Sequence, residues 1–313
     1  MELRGFGREF TRLAWVVFLG ALPLGVLASG EQRFASPQDA VDTLTQAARA
    51  QDTNAMRTIF GPETDKLISA DPVQASNNFA AFVERVTNKV ELIPVTPQTM
   101  ALGLGWDGWP FPIPLVEEND TWFFDTKMGK EEILNRRIGM DELAVIDVCH
   151  AYTEAQRDYA AQDHDHDGVL EFAQRLRSSP GMEDGLYWHV EPGEEPSPLG
   201  PLISEAHSEG YSHQNKILSE PQTPYHGYYF KILTRQGSRA PGGKYNYLIN
   251  GRMIGGFALV AWPAEWGNTG VMTFIVNQQD KVYQKNLGPR TASIAQHMKA
   301  YDPGAGWQPA STP

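Results

Sequence analysis

Apolar residues fall along this chain in helical stripes and alternating runs, and the longest helical stripe lies between Asp141 and Gly168. There Val145, Cys149, Tyr152, Ala155 and Tyr159 recur at spacings of three and four, while Asp147, Glu154, Arg157 and Asp158 lie mostly elsewhere around the helix. That is the pattern of one buried face. Asp141 reads as the N-cap, and the polar run from Gln162 to Asp167 as the place where the helix stops.

Upstream, Ser36-Pro37-Gln38-Asp39 reads as a cap followed by proline in a first helical turn, continued by Ala40, Leu44 and Ala47. Shorter helical patterns follow at Asn54 to Phe60 and Ser76 to Val86. The pattern then turns to strands at Val90–Val95, Thr99–Leu104, Ile113–Glu117 and Thr121–Asp125, the last two joined by the polar turn Glu118-Asn119-Asp120. Lys127 to Arg137 reads as one more helix, with Ile138-Gly139 as a boundary. Beyond the Asp141 helix come the surface loop Glu191–Gly200, a short helix at Leu202–Ser208, and a run of strands from Gly227: GYYFKILTR, KYNYLING, GFALVAWPA, GVMTFIVNQ and KVYQKNL. The expected fold class is α+β in two modules, 31–139 and 140–313, with 1–30 set apart as an export signal.

The signal reading rests on Arg4, Arg8 and Arg12 ahead of the apolar run Leu13 to Ala28, which is short for a membrane span and ends in the small residues Ala28, Ser29 and Gly30. An uncleaved anchor is the competing reading. The expected location is therefore periplasmic or secreted, with no transmembrane span after signal removal. With 41% hydrophobic and 11% aromatic residues, 313 residues suffice for two cores. The formal charge of −12 becomes −13 without the signal, and an acidic chain with no basic block is an unlikely partner for nucleic acid. Cys149 is the only cysteine, so no disulfide forms within the chain, and its place on the apolar face reads as buried and inert.

Three resemblances attach to these residues. The stretch AVDTLTQAARAQDTNAMRTIFGP (40–62) resembles the first helices of the cone-shaped fold shared by nuclear transport factor 2 and many small bacterial domains. A long helix followed by an antiparallel meander resembles the globular head of type IV pilins and type II secretion pseudopilins, without their hydrophobic polymerising segment. WPFPIPLV (109–116), FDTKMGKEEILNRRIG (124–139), PYHGYYFKILT (224–234), NGRMIGGFALVAWPAEWGNTGVMTFIVN (250–277) and LGPRTA (287–292) are similar to the exported bacterial family catalogued as domain of unknown function 2950. That last likeness implies an envelope or secreted protein and no assigned reaction.

The chemistry on offer is sparse. Gly103-Leu-Gly105-Trp-Asp-Gly108 matches the dinucleotide-binding spacing, but Trp109-Pro110-Phe111-Pro112 forbids the helix that motif needs, so a turn between strands is expected. No metalloprotease, phosphate-loop or esterase-elbow motif is present. Asp163, Asp165 and Asp167, closed by Gly168, place alternate carboxylates where they can converge on a hard cation, and calcium is the expected one. The run begins like an EF-hand loop but carries Glu171 at its ninth position and Gln174 at its twelfth, where a bidentate glutamate is needed. A solvated acidic turn is the plainer reading, and His164 and His166 widen the metal choice to zinc or copper. Trp262, Glu265 and Trp266 in WPAEWGNTG form the expected partner surface, because two tryptophans are costly to expose in a loop.

Two function classes follow. One is a non-catalytic envelope protein that binds a partner, an envelope protein or surface component, or assists surface assembly. The other is a metal-dependent hydrolase acting on envelope material, which would bring His189, His213 or His226 to the three aspartates. Sequencing the N-terminus of the mature protein is expected to find Ser29 or Glu31 first; a chain that still starts at Met1 and stays in the membrane contradicts export.

Overall fold

The computed structural model describes residues 30–191, 193–211 and 223–310, so all of the expected signal segment but Gly30, and His213, lie outside the described residues. The chain is α+β. It opens with helices α1 (Pro37–Arg49), α2 (Thr53–Phe60) and α3 (Pro72–Asn88), followed by strands β1 (Val90–Thr96), β2 (Thr99–Leu104), β3 (Trp109–Glu118) and β4 (Thr121–Phe124). Each helix starts on a side-chain cap. Ser36 Oγ accepts from the Asp39 amide with Pro37 in the first turn of α1, and Asp52 and Asp71 do the same for α2 and α3. The four strands pair antiparallel in chain order, and Gly105 (φ 75°) and Gly108 (φ 65°) supply the left-handed turn between β2 and β3. Leu102, Leu104, Ile113, Leu115 and Phe124 from the sheet join Leu44, Ile59 and Phe60 from the helices in a first hydrophobic core.

Next comes α4 (Thr126–Tyr159), a helix of 34 residues, and then α5 (Gly200–Ser208) and β5 (Tyr228–Leu233). The short strands β6 (Arg235–Gln236), β7 (Tyr245–Asn246), β8 (Leu248–Ile249) and β9 (Arg252–Met253) lead to β10 (Ala258–Pro263), β11 (Met272–Asn277) and β12 (Tyr283–Asn286). The described chain closes with α6 (Thr291–His297), β13 (Ala300–Tyr301) and β14 (Gln308–Pro309). The main sheet here runs β14-β12-β11-β10-β5, antiparallel throughout. The expected stripe of α4, Val145, Cys149, Tyr152, Ala155 and Tyr159, is buried with Phe230, Leu259, Ala261, Phe274 and Val276 in a second core. Burying one such aliphatic side chain is worth about 1.5–3 kcal/mol, so this stripe anchors the sheet. Cys149 is fully buried, and burial, followed by the charge of Asp280, pushes its thiol up and away from reactivity. Lys231 reaches from β5 to the carbonyls of Ala295 and Gln296 (3.0 and 2.5 Å), satisfying the end of α6.

Two expectations need correction. The helices expected at Lys127–Arg137 and from Asp141 are one helix, capped by Asp125 and ending at Tyr159, just before the polar run Gln162–Asp167 where a stop is expected. Asp141 caps nothing; it sits in mid-helix and is buried. The boundary expected at Gly139 thus falls inside α4. A helical glycine costs about 1 kcal/mol relative to alanine, which burial on both flanks of the helix outweighs. Ile133 packs on the first core and Val145 lies in the second, so one continuous helix borders both. α4 also lies beside β3 beyond the end of β4: Gly129 packs on Ile113, and Arg136 Nη1 donates to the Pro110 carbonyl (2.9 Å).

The two glycines of α4 separate close packing from mere tolerance. A Cβ on Gly129 would come within 2.6 Å of Ile113 Cγ1 and 2.8 Å of the Pro112 oxygen, whereas nothing lies within 4 Å of one on Gly139. Gly139→Ala is expected to raise stability by about 1 kcal/mol and Gly129→Ala to lower it by about 1–3 kcal/mol, both read from denaturant midpoints. A loss of stability in Gly139→Ala contradicts a continuous α4.

Candidate metal centre

Past the end of α4 the chain turns back on itself, with His166 (φ 59°) and Gly168 (φ 87°) in left-handed conformations. The turn is held by its own carboxylates. Asp163 Oδ2 accepts from the Gly168 amide (2.8 Å) and its Oδ1 from the Asp167 amide (3.3 Å), while Asp167 Oδ1 accepts from Val169 (2.9 Å). One ligand oxygen from each of Asp163, Asp165 and Asp167 lies within 4.8 Å of the others, and this is the only such group among the described residues. The Gly168 amide is the main cause that holds the Asp163 carboxyl below its ordinary range, so the charged form that a cation needs is the favoured one.

The segment after the turn is fastened to neighbouring strands. Buried Gln156 of α4 brackets Ala173, accepting its amide and donating to its carbonyl (both 2.9 Å). Phe172 donates to the Met253 carbonyl (2.9 Å), and the amide of Met253 donates to Glu171 (3.1 Å). Gln174 donates to the Gly251 carbonyl (2.8 Å). The ninth and twelfth positions therefore hold the β8–β9 hairpin and do not extend the oxygen cluster. From the same hairpin the Arg252 guanidinium reaches Asp167 Oδ2, setting a positive charge beside the three carboxylates.

The imidazoles stand apart. His164 stacks on Tyr159 (centroids 4.1 Å) and meets Glu183 through Nδ1 (2.9 Å), and neither it nor His166 belongs to the group of converging ligand atoms. His150 pairs with Asp280 (2.8 Å), His226 with Glu209 (3.2 Å), and His189 lies 3.9 Å from Glu191. An all-oxygen donor set with no nitrogen or sulfur suits a hard cation such as calcium over zinc or copper.

The expected partner surface is narrower than its three residues. Trp262 is the penultimate residue of β10, only 5% exposed and packed near Tyr229 (centroids 5.9 Å). It is part of the sheet, not of a loop. Glu265 and Trp266 do reach the surface, Glu265 accepting from Asn268 (2.8 Å) and Trp266 donating to Asn286 (3.0 Å). Sequence reading missed a second polar cluster, in which buried Asp71, Arg137, Asp141 and Tyr211 converge where the two cores meet. The one signal available was a pair of charges, Arg137 and Asp141, spaced i, i+4 on a helix that must bury a face.

Fold and site together define an α+β protein with two hydrophobic cores and an acidic turn built on oxygen ligands. The chain belongs to the family described as "Protein of unknown function (DUF2950)", whose family model matches residues 31–310. No significant match was found among curated proteins or among solved structures.

The turn generates a metal prediction. Free calcium at about a hundred times the dissociation constant is expected to add roughly 2.7 kcal/mol of stability, read as a rise in Tm. The pair Asp165→Asn with Asp167→Asn removes that rise, and Arg252→Gln tightens calcium binding by withdrawing a competing cation. A Tm that does not respond to millimolar calcium contradicts the site.

Proposed function

We propose that this chain is an exported, non-catalytic envelope protein that binds a partner or assists surface assembly, and that calcium at Asp163, Asp165 and Asp167 stabilises it without taking part in a reaction. The observation that carries the reading is the separation of groups. The three aspartates gather no imidazole among the described residues, and His150, His164 and His226 each pair with a different carboxylate elsewhere. A hydrolytic metal site needs a base or an open position backed by such groups, and His213 lies outside the described residues. Export rests on the arginine-flanked apolar run and fits the fact that, among the described residues, no helix is long and apolar enough to cross a membrane.

The architectural reading is also ours: a helix-plus-meander first module of the nuclear transport factor 2 kind, and a second module like a pilin head. The support is topological, since α1 to α3 precede a four-stranded meander, and α4 lies against a sheet whose long strands follow one another antiparallel. Glu265 and Trp266, exposed on the loop after β10, are the partner surface in this reading.

The test uses the mature protein immobilised and challenged with envelope extract, with and without calcium. A component retained by the wild type and lost with Trp266→Ala is expected. Turnover of envelope polysaccharide or peptide by the purified protein, abolished by Asp165→Asn, contradicts the non-catalytic reading.

A further inference from the structure

The cluster between the two cores is built around a carboxyl group with too few partners. Asp141 is 1% exposed; its Oδ1 accepts from Gln74 Nε2, while Oδ2 is buried without a hydrogen-bond partner among the described residues. Oδ2 faces the backbone of Gly227, where an added Cβ would lie 3.2 Å from it and 2.6 Å from Thr269 Cβ. The close approach is possible because His226 (φ 45°) and Gly227 (φ 70°) are both left-handed.

Every element around Asp141 contributes charge or dipole. On α4 itself Arg137 stands one turn before it and Glu142 beside it, the latter accepting the amides of Val271 and Met272 (both 2.9 Å). From the start of α3 come Gln74 and Asp71; Asp71 Oδ1 caps the helix, and its Oδ2 accepts from Tyr211 Oη (2.6 Å) and the Gly227 amide (3.3 Å). From the strand side come Tyr228, and Asn268, Thr269 and Glu265 of the loop after β10. Arg137, itself buried, spends its donors on the carbonyls of Leu67 and Ile68 (3.1 Å for the latter) and on Asn268 Oδ1 (2.5 Å). His226, paired with Glu209, lies at the rim.

These bonds join segments far apart in sequence. Leu67 packs on the first core, Val73 and Tyr211 on the second, and α4 borders both. We propose that the buried carboxyl of Asp141 is a proton-operated latch between the two cores: neutral, it lets the 67–74 segment, α4 and the 264–271 loop close on one another, and ionised, it loosens them. A neutral carboxyl fits this site because it brings no charge next to Asp71 and Glu142. Among the described residues an ionised one has only Arg137 as counter-charge, and it leaves Oδ2 unsolvated, which is costly in a low-dielectric seam.

The direction follows from linkage. Burial first, with the charges of Asp71 and Glu142 adding to it against Gln74 and Arg137, raises the Asp141 carboxyl to about 7 from an ordinary value of 3.8. Between those values the closed seam holds a proton that an opened, solvated seam has lost, so opening becomes easier as pH rises through that window and levels off above it. From pH 5.5 to pH 8 the opening constant rises about thirtyfold if the opened carboxyl is ordinary.

The experiment is segment-resolved hydrogen exchange on the full mature chain at pH 5.5 and 8, corrected for the intrinsic pH dependence of exchange. Peptides covering 70–76, 137–145 and 264–273 are expected to lose protection by about that factor at pH 8 in the wild type. In Asp141→Asn they keep it at both pH values. That variant leaves His226 in place, so a rise surviving in it assigns the effect to His226 and overturns the proposal, as does a wild type with no rise. If the variant does not fold, titration of the aspartate carboxyl carbons in the labelled wild type decides. One aspartate titrating near neutrality is expected, and none above pH 5.5 overturns the latch.

Discussion

A single helix that serves two hydrophobic cores is the constraint on which this structure depends. The first half of α4 lies along β3, and its second half supplies the stripe on which the larger sheet rests. At the middle of this shared rod one face is covered by elements of both cores, while Gly139, Met140 and Leu143 stay exposed on the other. Arg137 and Asp141 are therefore buried where they cross between cores, and burial of charge is tolerated only with hydrogen bonds and an opposite charge at hand. The carbonyls of Leu67 and Ile68 and Asn268 Oδ1 meet that need for Arg137, Gln74 meets part of it for Asp141, and the Tyr211 hydroxyl and Gly227 amide bond Asp71 beside them.

The acidic turn is a consequence of where the same helix ends. Gln156, one turn before the end, fixes Ala173, and with it the returning chain, so the residues between must reverse direction in a short loop. Aspartates suit such a loop because their side chains accept the turn's own amides. What distinguishes this turn is that three of them leave oxygens within 4.8 Å of one another, beside one arginine. The geometry joins a structural duty to a capacity for a cation, and the Glu171 and Gln174 bonds to the β8–β9 hairpin pass any stiffening of the turn to the strands.

Local patterns were legible in the sequence wherever a local cause sets the structure. The Ser36-Pro37 start, the β1 and β2 strands, the turn at Gly105 and Gly108, and the buried face of Val145 to Tyr159 follow from caps, alternation and periodicity. The continuity of α4 did not, because Gly139 looks like a stop and what carries the helix past it is packing by distant elements. Trp262 read as loop because Pro263 and Glu265 follow it, yet β10 runs through Pro263, which pairs with Tyr228 at the strand's end. Of the seam only the Arg137 and Asp141 spacing shows in the sequence, because Asp71 meets residues 140 and 156 positions away, and no short-range pattern encodes such a meeting.

The central claim is that α4 and its buried polar seam make one cooperative body of two cores. Urea unfolding followed by hydrogen exchange in 37–124 and in 228–286 tests it most directly. The account predicts coincident midpoints for both segments at pH 5.5, with α4 protected until both are lost. Two separated midpoints at that pH, with one sheet exchanging freely while the other stays protected, would contradict it.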